Sequence, residues 1–404
     1  MSHSLQVRVT GPLKSFLAGF KAELLCQGYK RTSAANQLRL FAHLSRWLWV
    51  KGFTASSLSV AVLDEFLAVR RAQGYTSKCT LKALTPLVDY LRGLGVSILE
   101  VKPAPNPSQA LLARYQQYLI DSRALVATTA QAYVGRARAF VATRVIHADG
   151  ELDWTGLGPA DINDFVLSSC RGQCVGSAKL VVTGLRSLLG YLHVEGLIRE
   201  PLVAAVPAVA GWKLGHLPRA LDSGALERLV AACDRRTHVG RRDFAMLMLL
   251  ACLGLRAIEV CRLRLEDIDW RAGEVMVRGK GDRQERLPLP AAVGQAVAAY
   301  LQRGRPASTR GRMVFVGTRA PHGALSSTAV STVVARTARR AGLGQIGAHR
   351  LRHTVATQMV RSGVPLPEVS QALRHRHLST TAIYAKLDRE RLRLLARQWP
   401  GGAR

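Results

Sequence analysis

Acidic residues are scarce in this chain. Only 27 Asp and Glu stand against 57 Lys and Arg in 404 residues, a formal net charge of +30. Such a surplus implies a polyanionic partner, because neutralised phosphates release condensed counterions. The basic residues run through long patterned segments rather than tails, which argues against a nonspecific basic protein of the ribosomal kind. Aromatics make up only 6%, too few for an aromatic-lined groove that stacks single strands. No run of 18 apolar residues appears, and Met1 to Pro12 lacks the apolar stretch of a signal peptide, so no membrane span or export is expected. The seven cysteines are odd in number, and Cys170 and Cys174 have no second Cys/His pair at ligand spacing. They read as free thiols in a reducing cytosol, without zinc. No Walker-type phosphate loop is present. The Arg-over-Lys, Ala- and Leu-rich usage suggests a GC-rich bacterial genome, so the expected setting is the bacterial cytoplasm, beside the nucleoid.

What is present suffices for several cores. The hydrophobic fraction is 48%, and the length suggests two to four domains. Lys102-Pro103-Ala104-Pro105-Asn106-Pro107 holds three prolines in close succession, which predicts an extended linker over 102–107. A second break, with Pro201, Pro207, Gly211, Gly215 and Pro218, predicts a linker over 201–219. Segments 1–101 and 108–200 resemble each other. Leu63-Asp64-Glu65-Phe66-Leu67 parallels Ile162-Asn163-Asp164-Phe165-Val166, and Leu87-Val88-Asp89-Tyr90-Leu91 parallels Leu188-Leu189-Gly190-Tyr191-Leu192. Leu185, Leu188, Leu189 and Leu192 fall on one helix face. Both segments read as all-α bundles, the first a duplicate of the second. The last third, 220–404, reads as mixed α+β. Asp222 offers a helix N-cap. Glu274–Arg278 and Gln284–Leu289 read as strands of a hairpin around Gly279-Lys280-Gly281-Asp282. Met313–Val316 reads as a further strand, with helices from about 327, 349, 366 and 380. The fold class is thus mainly α and multidomain: two all-α helical bundles, then an α+β domain with a small antiparallel sheet.

Six residues of that last third sit in distinct local phrases. Arg256 closes Leu-Gly-Leu-Arg, and Lys280 lies in Arg-Gly-Lys-Gly. His349 and Arg352 belong to His-Arg-Leu-Arg-His, His375 follows Leu373-Arg374, and Tyr384 ends Ser-Thr-Thr-Ala-Ile-Tyr. Singly, each has an ordinary explanation: a solvated arginine, a turn lysine, a polar helix face, a core tyrosine with a wet hydroxyl. His349, Arg352 and His353 share one helix face by their spacing. Together, two arginines, a lysine, two histidines and a tyrosine can grip a phosphodiester and attack it with a phenol. Acidic residues do not cluster near them, so a two-metal site is not expected.

In order, phrase and spacing these residues resemble the tyrosine recombinase (phage integrase) family. Arg256 with Glu259 three residues on, Lys280 in Gly-Lys-Gly, His349 to Arg352, His375 and then Tyr384 nine residues later all follow that family's pattern. The resemblance is strong over about 220–400 and looser over 108–200, which is similar to the family's core-binding domain; 1–101 lies outside the minimal family plan. It implies a site-specific DNA recombinase acting through a covalent 3′-phosphotyrosine, with no cofactor and no metal. Arg256 and Arg352 would hold the phosphate oxygens, Tyr384 would attack, and Lys280 would protonate the leaving 5′ oxygen. His349 would help move the tyrosine proton, His375 would donate to the phosphate, and Glu259 would orient Arg256. Double-stranded DNA is the implied partner, bound by a homotetramer on two sites, with accessory recombinases as further candidate partners. A mobile-element integrase or transposase is the favoured setting. The alternatives are a type IB topoisomerase and a non-catalytic DNA-binding relative. One departure stands out: the family usually has glycine where this chain has Arg374. If the helix-ending left-handed geometry persists there, an arginine costs on the order of 1 kcal/mol. The last amphipathic piece, with Leu392, Leu394, Leu395 and Trp399, is expected to dock on a neighbouring protomer.

Overall fold

A computed structural model describes residues 5–96, 106–147, 151–211, 220–279, 283–375, 377 and 380–387. The fold divides into two compact units, one of residues 101–215 and one combining residues 1–100 with 216–404. Among the described residues no helix is long and apolar enough to cross a membrane.

Described residues 5–96 hold four α-helices, α1 (Leu17–Cys26), α2 (Arg31–Val50), α3 (Val60–Ala72) and α4 (Leu81–Gly93). Their apolar faces meet in one core that includes Phe20, Leu38, Phe41, Leu63, Phe66, Leu87 and Leu91. Ser59 caps α3 by accepting from the Val62 N–H at 3.2 Å, which satisfies one of the donors a helix start leaves unpaired.

The described residues of 101–215 hold a second set of four α-helices, α5 (Pro107–Asp121), α6 (Ala127–Val141), α7 (Pro159–Cys170) and α8 (Val175–Val194). Pro107 is the first residue of α5 rather than the end of the linker; its missing N–H costs nothing there, and Asn106 caps the helix. The helix order repeats that of the first bundle. Paired positions of the two segments are buried alike: Leu63 and Ile162, Leu67 and Val166, Leu87 and Leu188, Leu91 and Leu192. The chain from 201 does not leave this bundle at once. Leu202 and Val206 pack into its core around a 3-10 turn at Leu202–Ala205, because two apolar side chains gain more from burial than a free linker would.

The last part contains α9 (Ser223–Ala231), α10 (His238–Cys252) and α11 (Ala257–Arg262), then β1 (Ile268–Asp269), β2 (Glu274–Arg278) and β3 (Gln284–Pro288). Four helices follow: α12 (Ala291–Arg303), α13 (Ser327–Arg340), α14 (Ala348–Arg361) and α15 (Leu366–Ala372), with a 3-10 turn at Ala382–Leu387. The Asp222 carboxylate accepts from the Ala225 N–H at 2.6 Å and caps α9. The sheet is antiparallel in the order β1-β2-β3, and the β2–β3 hairpin pairs Arg278 with Gln284 and Glu274 with Pro288. Met313–Val316 forms no strand. Met313 bridges only Arg264, and Val316 bridges only Ala324. Val314 and Phe315 are instead fully buried core residues, so their apolar character serves packing rather than a ladder. The core of this part centres on α10, whose Ala245, Met246, Leu249 and Leu250 are inaccessible to solvent. Ala356, Val360, Val369, Leu373 and Tyr384 make a smaller cluster, which seats the tyrosine turn against α14 and α15.

Candidate active site

The site grows from a chain reversal at Gly254, just after α10. This glycine has φ +58, and a Cβ there would stand 2.9 Å from the Leu373 side chain, so both backbone freedom and close approach require glycine. Its carbonyl accepts from Arg352 Nη1 at 2.6 Å. Arg352 Nη2 donates to the Leu373 carbonyl. Arg352 reaches these acceptors from the middle of α14, at 2% exposure. Two backbone carbonyls therefore fix the plane of a buried guanidinium. Burial first, then the charges of Arg256 and Arg374, push it down to about 9, which still leaves it charged at neutral pH.

Arg256 stands at the N-cap position before α11 and stays partly open to solvent. Its backbone N–H and its Nη1 both donate to the Glu259 carboxylate, at 2.9 and 2.7 Å, and its Nη2 donates to the Arg374 carbonyl at 3.1 Å. Glu259 is wholly buried. Burial works to raise its carboxyl, but Arg374, the Arg256 N–H and the Arg256 guanidinium outweigh that and hold it below the ordinary value. It is thus an anion that orients arginines.

Arg374 adds a third guanidinium. Its backbone is left-handed, φ 55, and its N–H closes the end of α15 on Gln371, the geometry a glycine ordinarily supplies. The long side chain folds back, almost fully buried, so that Nη2 reaches Glu259 at 3.0 Å. The departure from glycine is therefore accommodated by an ion pair inside the site.

Tyr384 lies on the 3-10 turn and is 2% exposed. Its hydroxyl stands 2.6 Å from Nδ1 of His353. The expected partner, His349, is not the one in contact: its ring packs edge-on against His353 with centroids 4.4 Å apart. One helical turn separates the two histidines, and the tyrosine turn packs beside the later one. Burial pushes the Tyr384 phenol up to about 12, with Arg352 opposing. Burial, His349 and Arg352 press His353 down to about 4. At neutral pH a protonated phenol therefore faces an uncharged imidazole at hydrogen-bond distance. His349 is lowered by burial, Arg352 and Arg256. His375 is brought to about 4 by burial and then by Arg352 and Arg256. Its Nδ1 lies 2.7 Å from the Thr381 hydroxyl, which leaves Nε2 for a ligand.

Of the sequence-predicted residues, the structure thus gathers Arg256, Glu259, His349, Arg352, His375 and Tyr384 in one place. Lys280, between β2 and β3 in sequence, lies outside the described residues, as do Leu392 to Trp399. His353 and Arg374 are the participants that spacing did not single out as site residues. The signals were present: one lies on the His349 face, the other in a glycine position.

Fixed guanidiniums thus stand together with a buried phenol, on helices beside a small sheet. The model of the phage integrase family matches residues 219–391, and this chain belongs to that family, the tyrosine recombinases, which are DNA strand-transferases. It is 39% identical over 398 residues to a putative integrase/recombinase, y4rA, of Sinorhizobium fredii, covering 97% of this chain and 96% of that one. It is 30% identical over 298 residues to the tyrosine recombinase XerD of Listeria monocytogenes, covering 72% of this chain and 98% of that protein. Among solved structures, XerH site-specific recombinase bound to a palindromic difH substrate aligns over 99% of both chains with a TM-score of 0.54 at 17% identity. A lambda integrase dimer bound to a COC′ core site aligns over 80% of this chain and 89% of that one, TM-score 0.54 at 18% identity. At such identities these two likenesses concern the fold alone.

Proposed function

We propose that the chain is a site-specific recombinase that cuts and rejoins duplex DNA through a covalent 3′-phosphotyrosine at Tyr384. The observation that carries this reading is the Tyr384 hydroxyl, 2.6 Å from a neutral His353 and within the field of Arg352 in the same chain. In the forward step the phenolic oxygen bonds to phosphorus and the 5′ oxygen leaves. The phenol proton passes to His353, behind which His349 stands. Lys280 returns a proton to the leaving oxygen. Arg256 and Arg352, with His375, meet the non-bridging oxygens, where negative charge grows as phosphorus becomes pentavalent. Glu259 does not react; it fixes Arg256. The new bond keeps the phosphodiester energy, so the reverse attack by a 5′ hydroxyl rejoins DNA without a nucleotide.

In this reading residues 220–404 are catalytic, 108–200 the core DNA-binding bundle and 1–101 an additional bundle derived from it. The active assembly is a tetramer on two duplexes, and the biological role is integration or transposition of a mobile element. A nicked suicide duplex, from which the short 5′ strand diffuses away, should trap a protein–DNA adduct linked at Tyr384. Tyr384→Phe should abolish it. An adduct that persists in that variant, or none from the parent on its own site, would overturn the proposal.

A further inference from the structure

The first bundle holds a buried cation that no acid pairs with among the described residues. Arg70, in the last turn of α3, is 6% exposed. Its guanidinium carbon stands 4.0 Å over the Tyr75 ring, and its Nη1 lies 3.4 Å from Nδ1 of His43. Its Nε is buried and has no hydrogen-bond partner. No ion pair to Arg70 forms among the described residues, and Glu65 of the same helix is taken by Lys51 at 2.9 Å. The tyrosine face offsets part of the cost of burying this charge, but an unpaired buried ion remains expensive.

The neighbours add charge of the same sign. Lys78, half-buried and in left-handed backbone, is brought down to about 8 by burial, Arg70 and Arg39. His43 is lowered by burial, Arg70 and Arg46. Arg39, His43 and Arg46 follow one another at i, i+4 and i+7 on α2, hence on one face, and both arginines are exposed. Like charges drawn together from two helices and a loop work against folding. A bound anion would turn that repulsion into attraction. The stripe from Arg39 to Arg46 covers about 10 Å of helix axis, more than a lone phosphate needs and enough for neighbouring phosphates of one backbone.

We propose that Arg70, Lys78 and His43, flanked by Arg39 and Arg46, form a phosphodiester-binding site on the first bundle, and that its ligand is the backbone of duplex DNA. The site shares no residue with the Arg256–Tyr384 pocket and does not depend on its chemistry. It contacts phosphate rather than base edges, so it lengthens the footprint without adding sequence preference.

The test uses the full chain, a mixed-sequence duplex several helical turns long, and binding measured across salt concentrations. The double variant Arg39→Gln with Lys78→Gln removes one exposed and one half-buried charge and leaves buried Arg70 in place. The slope of log affinity against log salt should fall by about two, so the loss of affinity between about 50 and 200 mM salt shrinks about twelve-fold. A control pair on the same bundle, Lys14→Gln with Lys21→Gln, makes the same change in net charge and should move the slope much less. An unchanged slope in the first pair, or an equal change in both, would overturn the site. Two further arms separate other sources of phosphate. If millimolar inorganic phosphate raises the melting temperature of the parent and not of the Arg39/Lys78 variant, while the DNA slopes coincide, the ligand is a free phosphate and the DNA assignment fails. If only an RNA duplex shows the slope change, the assignment fails as well.

Discussion

Replacing Arg374 by glycine, the residue usual at this position in the family, sets two opposing effects against each other. The arginine holds a left-handed backbone, φ 55, and glycine would relieve that at a gain of about 1 kcal/mol. The same change removes one partner of a buried ion pair whose side chains are 5% and 0% exposed. Breaking such a pair costs about 3–5 kcal/mol. Glu259 keeps the Arg256 Nη1 and N–H, so the lower end, about 3 kcal/mol, applies. The balance is a net loss of about 2 kcal/mol at neutral pH. The pH dependence gives a second handle. The folded-state Glu259 carboxyl is held below its ordinary value, so its contribution is present above the unfolded value and is lost as pH falls through the folded one. Without Arg374 that carboxyl should rise, and it should lose its contribution at higher pH than the parent. Denaturant unfolding of the full chain, followed at neutral and acidic pH, reads both effects. Adding Glu259→Gln to Arg374→Gly should recover part of the loss, because no buried anion is then left short of a partner. A variant that is instead about 1 kcal/mol more stable than the parent at neutral pH would refute the reasoning, for the ion pair would then contribute nothing.

Three further outcomes are expected. His353→Gln should lower single-turnover formation of the Tyr384 adduct by about 100-fold or more and leave DNA affinity unchanged; a rate equal to the parent would remove His353 from proton transfer. Gly254→Ala should destabilise by about 1–2 kcal/mol and weaken cleavage as well, because the carbonyl holding Arg352 would shift; denaturant midpoints and adduct yield measure the two effects. His353 and His375 are each brought from 6.5 to about 4 in the folded state, so the unfolded chain binds more protons between those values. Stability should therefore be full above about pH 6.5 and fall progressively toward pH 4, and the His353→Gln variant should show a shallower acid slope in unfolding experiments.

Much of the site was legible because its signals are local. The hairpin around Lys280 announced itself by strand-like runs on either side of Gly-Lys-Gly-Asp. Asp222 declared the start of α9 by the chemistry of a carboxylate before a helix. The left-handed backbone at Arg374 was legible only through the family resemblance, which puts glycine at that position. What its side chain does was not legible, since Glu259 lies 115 residues away in sequence and only packing brings the two together. Met313–Val316 shows the opposite failure. Four apolar residues read equally well as a strand or as core filling, and the partner that would settle the choice is non-local.

The chain's own residues determined its helical periods, caps and turns, because each is set by neighbours a few positions apart, and its large positive charge and the order of the site's phrases, which belong to the sequence itself. Only tertiary structure decided which imidazole reaches the tyrosine. His349 and His353 stand on one face of α14, equal by spacing, and the packing of the 382–387 turn against that helix puts the phenol beside His353. It likewise decided that Glu259 would serve two arginines, and that Arg70 would be buried with no acid paired to it among the described residues, since a charge's partner is chosen by distance through space and not along the chain.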